Sequence, residues 1–175
     1  MPENPKNDAV ERMVTAYDRM LRHTHDAIAE AQKERVPRVR ELLEKARDHM
    51  VELGELTREE AAKVAGYLER DLKDASAHIA ETGEGLRQWW HFDLKLMEDR
   101  MLEMFASVAD QTSLQLREWA EQARQAPAYR TGEITGPGTL VCEACGEGLS
   151  FRKPGRIPPC PKCGGTGFRR EAPQG

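Results

Sequence analysis

Cys142-Glu-Ala-Cys145-Gly146 and Cys160-Pro-Lys-Cys163-Gly164 hold all four cysteines of the chain, and they decide how it reads. Each pair has two residues between its cysteines, so a single tight turn presents both thiolates to one ion. A glycine follows the second cysteine in both pairs. There it permits a positive φ and lets backbone N–H groups turn toward the sulfurs. Fourteen residues separate the pairs, a spacing that reads as one tetrahedral tetrathiolate site. Residues 139–141, 149–152 and 167–170 have the length of short strands. The pattern therefore predicts a zinc ribbon over 139–170, with structural Zn2+, one per chain, on Cys142, Cys145, Cys160 and Cys163. Iron, a disulfide pair and redox chemistry are the competing readings. With four protein ligands no position stays open for a catalytic water. So small a ribbon has little core of its own, and the metal substitutes for it.

Composition changes ahead of the ribbon. Residues 1–127 contain only Gly54, Gly66, Gly83 and Gly85 of the 14 glycines, and carry a net charge of −7 against +3 for the remaining 48 residues. Leu, Ile, Val and Phe together number 31 of 175, too few for a wide globular core. Long helices that bury a narrow stripe suit such a supply. Val10, Met13, Tyr17, Met20, Thr24 and Ile28 recur at helical steps from Asp8 onward. Pro37 places a break at Arg35–Val36. A second series from Val39 to Leu53 stops at Gly54, and Thr57-Arg-Glu-Glu60 forms a capping box for a third, which ends near Gly83. A fourth series runs from Leu86 through Trp90, Leu94, Met101, Phe105 and Val108 to Trp119, close to a heptad seam. The pattern leaves its continuity through 110–113 open.

The expected architecture is mainly α: an elongated antiparallel helical bundle or coiled-coil hairpin, followed by a small C-terminal β zinc ribbon. The boundaries are an acidic helical body over 1–127, a Gly-rich linker over 128–138, the ribbon over 139–170 and a disordered tail over 171–175. Residues 1–7 and the end from Arg170 onward are expected to fray. Few contacts are expected across the linker, so losing the ribbon should leave the helices intact.

The run Tyr129-Arg-Thr-Gly-Glu-Ile-Thr-Gly-Pro-Gly138-Thr-Leu-Val-Cys142-Glu-Ala-Cys145, followed by Cys160-Pro-Lys-Cys163-Gly164, resembles the C-terminal signature of the YbeL-type zinc-ribbon-containing proteins of proteobacteria. The Gly54-Glu-Leu-Thr57 turn and the acidic helices ahead of the ribbon are similar to that family too. The resemblance implies zinc on the same four cysteines and residence in the cytoplasm. It implies no activity, since the family has no known function.

Other patterns point less far. Cys160 to Gly167 fits the C-x-x-C-x-G-x-G repeat of J-domain co-chaperones, but four such repeats are needed there. Gly132 to Gly138 lacks both G-x-G-x-x-G and a Walker lysine, so it reads as turns. Arg152, Lys153, Arg156, Lys162, Arg169 and Arg170, interleaved with Phe151 and Phe168, form a candidate nucleic-acid patch. Four ionised thiolates with Zn2+ reduce the tail's charge to about +1, which favours the plainer reading that the phenylalanines lie on the buried face of the sheet and the arginines in water. His23, His25, His49, His78 and His91 match neither H-E-x-x-H nor the Glu-x-x-His pairing of di-iron bundles, and are expected to face solvent. No Ser/His/Asp or Cys/His set presents itself, so no catalytic residue and no enzyme is expected. No apolar run reaches membrane-spanning length, and the polar start excludes a secretory signal. These readings converge on a cytoplasmic, non-enzymatic zinc-binding adaptor that meets a protein partner or a second copy through its helices. Nucleic-acid association and a thiol-redox or chaperone role are the alternatives.

Overall fold

The computed structural model of the chain describes residues 5–30, 38–82, 108, 118 and 128–170. Three helices come first: α1 (Pro5–Glu30), α2 (Val39–Glu52) and α3 (Arg58–Thr82). The first begins three residues ahead of Asp8, because proline's fixed φ suits an opening helical turn. Residues 5–7 are therefore helical, contrary to the expected fraying. The break predicted at Arg35–Val36 lies outside the described residues, as do the 83–100 stretch and nearly all of the fourth apolar series.

Local signals between α2 and α3 act as their chemistry dictates. Gly54 takes φ +70°, and its N–H closes onto the Val51 carbonyl at 3.0 Å. Thr57 Oγ1 accepts from the Glu60 N–H at 3.2 Å, and Glu60 Oε2 accepts from the Thr57 N–H at 2.9 Å. Two otherwise unpaired donors at the start of α3 are thereby satisfied reciprocally.

Each helix packs on the other two. Tyr17, Met20 and Leu21 of α1 meet Leu42, Leu43, Ala46 and Met50 of α2, and Val64, Leu68 and Leu72 of α3, in one core. Val108, a member of the fourth series, is fully buried in the same core. Ile134, from far along the chain, completes it.

Six short strands follow: β1 (Tyr129–Arg130), β2 (Ile134–Thr135), β3 (Gly138–Cys142), β4 (Gly148–Phe151), β5 (Gly155–Arg156) and β6 (Gly167–Arg170). Four of them make an antiparallel sheet in the order β1-β6-β3-β4, while β2 pairs with β5. Register places Tyr129 opposite Phe168, Cys142 opposite Phe168 and Leu140 opposite Leu149. Paired residues on neighbouring strands share a face, and successive residues along a strand alternate, so Tyr129, Phe168, Leu140 and Cys142 lie on one face. Together with Ile157 and Cys160 they form a second core.

The segment 128–138 corrects the sequence reading most. It is not a bare linker, since it carries β1 and β2 and lies against α1 and α3. Its glycines suit close approach as well as turns. A Cβ on Gly136 would lie 2.6 Å from the Tyr17 hydroxyl and 3.3 Å from Asp71 Oδ2. Both neighbours are buried and hydrogen-bonded to one another, so neither yields cheaply. Gly136→Ala is accordingly expected to destabilise the chain by about 1–3 kcal/mol, as overpacked sites do. Thermal unfolding followed by circular dichroism reads this as a lowered Tm, and an unchanged Tm would show that the contact relaxes.

Candidate metal centre

The two cysteine turns are built alike. In the first, the Gly146 N–H donates to the Cys142 carbonyl at 2.9 Å and the Cys142 N–H to the Glu147 carbonyl at 2.8 Å. The second repeats this, with Gly164 N–H to the Cys160 carbonyl and Cys160 N–H to the Gly165 carbonyl, both at 2.8 Å. Gly146 and Gly164 take φ +77° and +74°, the left-handed conformation that closes each turn. The Gly165 N–H then points at Cys163 Sγ, 3.3 Å away. A Cβ on Gly165 would come within 3.1 Å of Cys142 Sγ and 3.2 Å of Cys163 Sγ, so any larger residue would have to push the sulfurs aside by a few tenths of an ångström.

The four Sγ atoms all lie within 4.8 Å of one another. Cys142–Cys163 and Cys145–Cys160 are both 3.6 Å apart, and none of the four is in a disulfide. Zinc–sulfur bonds of ~2.3 Å arranged tetrahedrally require sulfur–sulfur edges of about 3.8 Å. The cage fits such an ion and is too wide for S–S bonds of ~2.05 Å. The clustered sulfurs titrate unevenly. The Glu147 backbone favours the Cys145 thiolate, yet burial and the three neighbouring thiols outweigh it and push Cys145 up to about 12. The Cys163 N–H, aided by that of Lys162 and against desolvation, draws Cys160 down to about 7. A divalent cation would favour the charged form of all four and hold them as thiolates. Elemental analysis of the purified chain is expected to find one zinc per chain. Substoichiometric metal together with two disulfides would contradict the site.

A family model described as a zinc-ribbon containing domain matches residues 26–172. The chain belongs to this family. The uncharacterized protein YbeL of Escherichia coli strain K12 is 30% identical over 129 residues, covering 74% of this chain and 79% of that protein. Its counterpart in the O157:H7 strain shows the same identity and coverage. No solved structure is significantly similar.

Around the ribbon of this family member lies a polar seat that sequence reasoning missed. Arg170, at the end of β6, is directed into the helices with its side chain only 5% exposed. Its Nε donates to Asp74 Oδ2 at 2.9 Å and to Tyr129 Oη at 3.1 Å. Its Nη1 reaches the Pro137 carbonyl and its Nη2 reaches Thr135 Oγ1, each at 3.0 Å. Tyr129 Oη donates in turn to Asp74 Oδ2 at 2.6 Å. From α3, Arg70 donates to Glu133 Oε2 at 2.5 Å and to the Ile134 carbonyl at 2.8 Å. Both guanidiniums lie over the Tyr129 ring, that of Arg70 4.1 Å and that of Arg170 5.0 Å from its centroid. Asp71 accepts from the Tyr17 hydroxyl at 2.5 Å and from the Gly136 N–H at 2.7 Å.

Electrostatics follow from that geometry. Burial disfavours a charged Arg170, but Tyr129, Asp71 and Asp74 outweigh it and hold the guanidinium protonated. Burial pushes the Asp74 carboxyl above the ordinary range, although Arg170 opposes the shift. Tyr17 and Tyr129 stay neutral hydroxyls, each raised first by burial.

Two earlier expectations change as a result. Arg170 is neither frayed nor in water, whereas Phe168 is buried in the ribbon core, as the buried-face reading of the phenylalanines expects. The other five cations of that patch, Arg152, Lys153, Arg156, Lys162 and Arg169, are exposed as expected, and Arg130 of β1 joins them. Among the histidines, His49 is exposed, whereas His23 is half-buried with an Nδ1 that finds no hydrogen-bond partner among the described residues. Their rings lie 5.5 Å apart across α1 and α2. His91 and the side chain of His78 lie outside the described residues.

Proposed function

We propose that the chain is a non-enzymatic, zinc-binding interaction protein of the cytoplasm, whose helical body meets a protein partner and whose ribbon is a recognition head. The reading rests chiefly on the cage: four cysteines close enough to saturate a tetrahedral ion leave it no position for substrate or water. Its support is structural, and the seat on α3 fixes the ribbon's outward face relative to the helices. Among the described residues no helix is long and apolar enough to cross a membrane, which accords with this reading. The finer architecture, an elongated antiparallel or coiled-coil arrangement including the 86–119 seam, belongs to the proposal too. A seam of that length exceeds what a small body can surround, although Val108 shows that part of it is core.

The test is affinity capture and sedimentation velocity with the metal-loaded full chain, beside Met101→Glu/Phe105→Glu. A stoichiometric protein partner, or a self-associated state, that is lost in a variant still helical and cooperative supports the reading. Capture of nucleic acid that weakens steeply with salt and disappears when Arg130, Arg152 and Arg169 are neutralised supports the alternative instead. Ready zinc loss with reversible disulfide formation under mild oxidant would favour thiol chemistry.

A further inference from the structure

Among the strands that meet the helices, β6 is the one that runs directly from the metal cage into the polar seat. β6 leaves the second cysteine turn at Gly167, pairs Phe168 with both Tyr129 and Cys142, and ends on Arg170 in the helices. Two of the six residues in the ribbon core, Cys142 and Cys160, are themselves cage cysteines. A core that small does not persist once its ligands are released. The opposite end of the path is equally dependent. Beside Arg170 Asp71 is buried and Asp74 half-buried, and Ile134 and Gly136 fill places among the helices. Withdrawing these groups leaves both carboxylates short of a partner and opens the core.

We propose that the metal state of the ribbon is transmitted through β6 and Arg170 to α3 and α1, so that metal release unlatches the helical body. The inference rests on the cage being a structural metal site, and it makes the body's surfaces conditional on metal supply. Thermodynamic linkage gives it a reciprocal form. If metal tightens the helices by some factor, then tight helices strengthen metal binding by the same factor.

The experiment uses the full chain, metal-loaded, stripped by chelator and reloaded, with metal content measured at each stage. Amide hydrogen exchange is followed in peptides covering 12–24 of α1 and 64–74 of α3. Metal removal is expected to lower protection there about 5- to 150-fold, the usual span of coupling between sites, and reloading to restore it. Tyr129→Phe removes one hydroxyl at the seat and keeps its ring. It is expected to reduce helix protection with metal bound, and to weaken zinc affinity by a matching factor in competition with a chromophoric chelator. Arg170→Lys, which keeps the charge but loses the fork of donors, should do both more strongly. If stripping deprotects only 139–170 while 12–24 and 64–74 stay protected, the coupling is absent. Reduced helix protection with unchanged zinc affinity in both variants would overturn it as well. A chain that retains no metal at all would instead overturn the cage reading beneath it.

Discussion

Cys160→Ser is expected to abolish stoichiometric zinc retention and to unfold the ribbon, leaving residues 139–170 open to protease. Serine removes one thiolate from the cage and substitutes an alcohol that stays protonated at neutral pH. It also removes a sulfur from the small core that Cys160 shares with Tyr129, Leu140 and Phe168. Three remaining thiolates hold the ion less tightly and leave a position open to water. Far-UV circular dichroism and urea unfolding separate two consequences. If the ribbon were an independent appendage, the helical signal would keep its denaturation midpoint. Because β2 contributes Ile134 to the helical core and β6 contributes Arg170 to α3, the midpoint is expected to fall together with the ribbon. An unchanged midpoint, with the ribbon demonstrably unfolded, would show that the seat adds nothing to the helices.

What the sequence disclosed and what it hid have different physical origins. The cysteine turns are local: their spacing and the glycine after each pair determine the geometry, and Gly146 and Gly164 take the positive φ that chemistry requires. Helix punctuation is local too, which is why the Gly54 stop and the Thr57–Glu60 box were legible. Strands β3, β4 and β6 fell where short segments flank the cysteines. The links between α3 and the ribbon in the seat, by contrast, span 55 to 99 positions, and nothing in either stretch alone announces the other. Glycines in 128–138 looked like linker material because closeness to another backbone leaves the same mark as flexibility. One signal was available. On α3, Tyr67, Arg70, Asp71 and Asp74 recur at three- and four-residue steps beside the apolar positions Val64, Leu68 and Leu72. A charged stripe adjoining a core stripe reads as a solvated face unless the chain supplies counter-charges later. Arg130, Arg169 and Arg170 were all candidates, and only the β6 register distinguishes Arg170 as the one turned inward.

Asp71 is where that hidden arrangement should cost most when broken. Its carboxylate is 1% exposed and accepts from Tyr17 of α1 and from the Gly136 backbone, with Arg70 at 3.1 Å and Arg170 at 3.6 Å. Asp71→Ala leaves the Tyr17 hydroxyl and the Gly136 N–H without their acceptor, and the buried Arg170 and half-buried Arg70 guanidiniums short of a counter-charge. Breaking a buried pair by removing one partner costs about 3–5 kcal/mol. Asp71→Asn keeps an oxygen to accept from Tyr17 and the volume of the side chain but removes the charge, so it isolates the ionic part. Both are expected to destabilise the chain in urea unfolding, with alanine the worse. Removing the opposite end of the network at the same time gives the sharper readout. Asp71→Ala combined with Arg170→Met eliminates an unpaired charge along with its partner, so the double variant should be less destabilised than the two single effects added together. Strict additivity would mean that Asp71 acts only through its hydrogen bonds to Tyr17 and Gly136, and that Arg170 is held by Asp74, Thr135 and Pro137 without it.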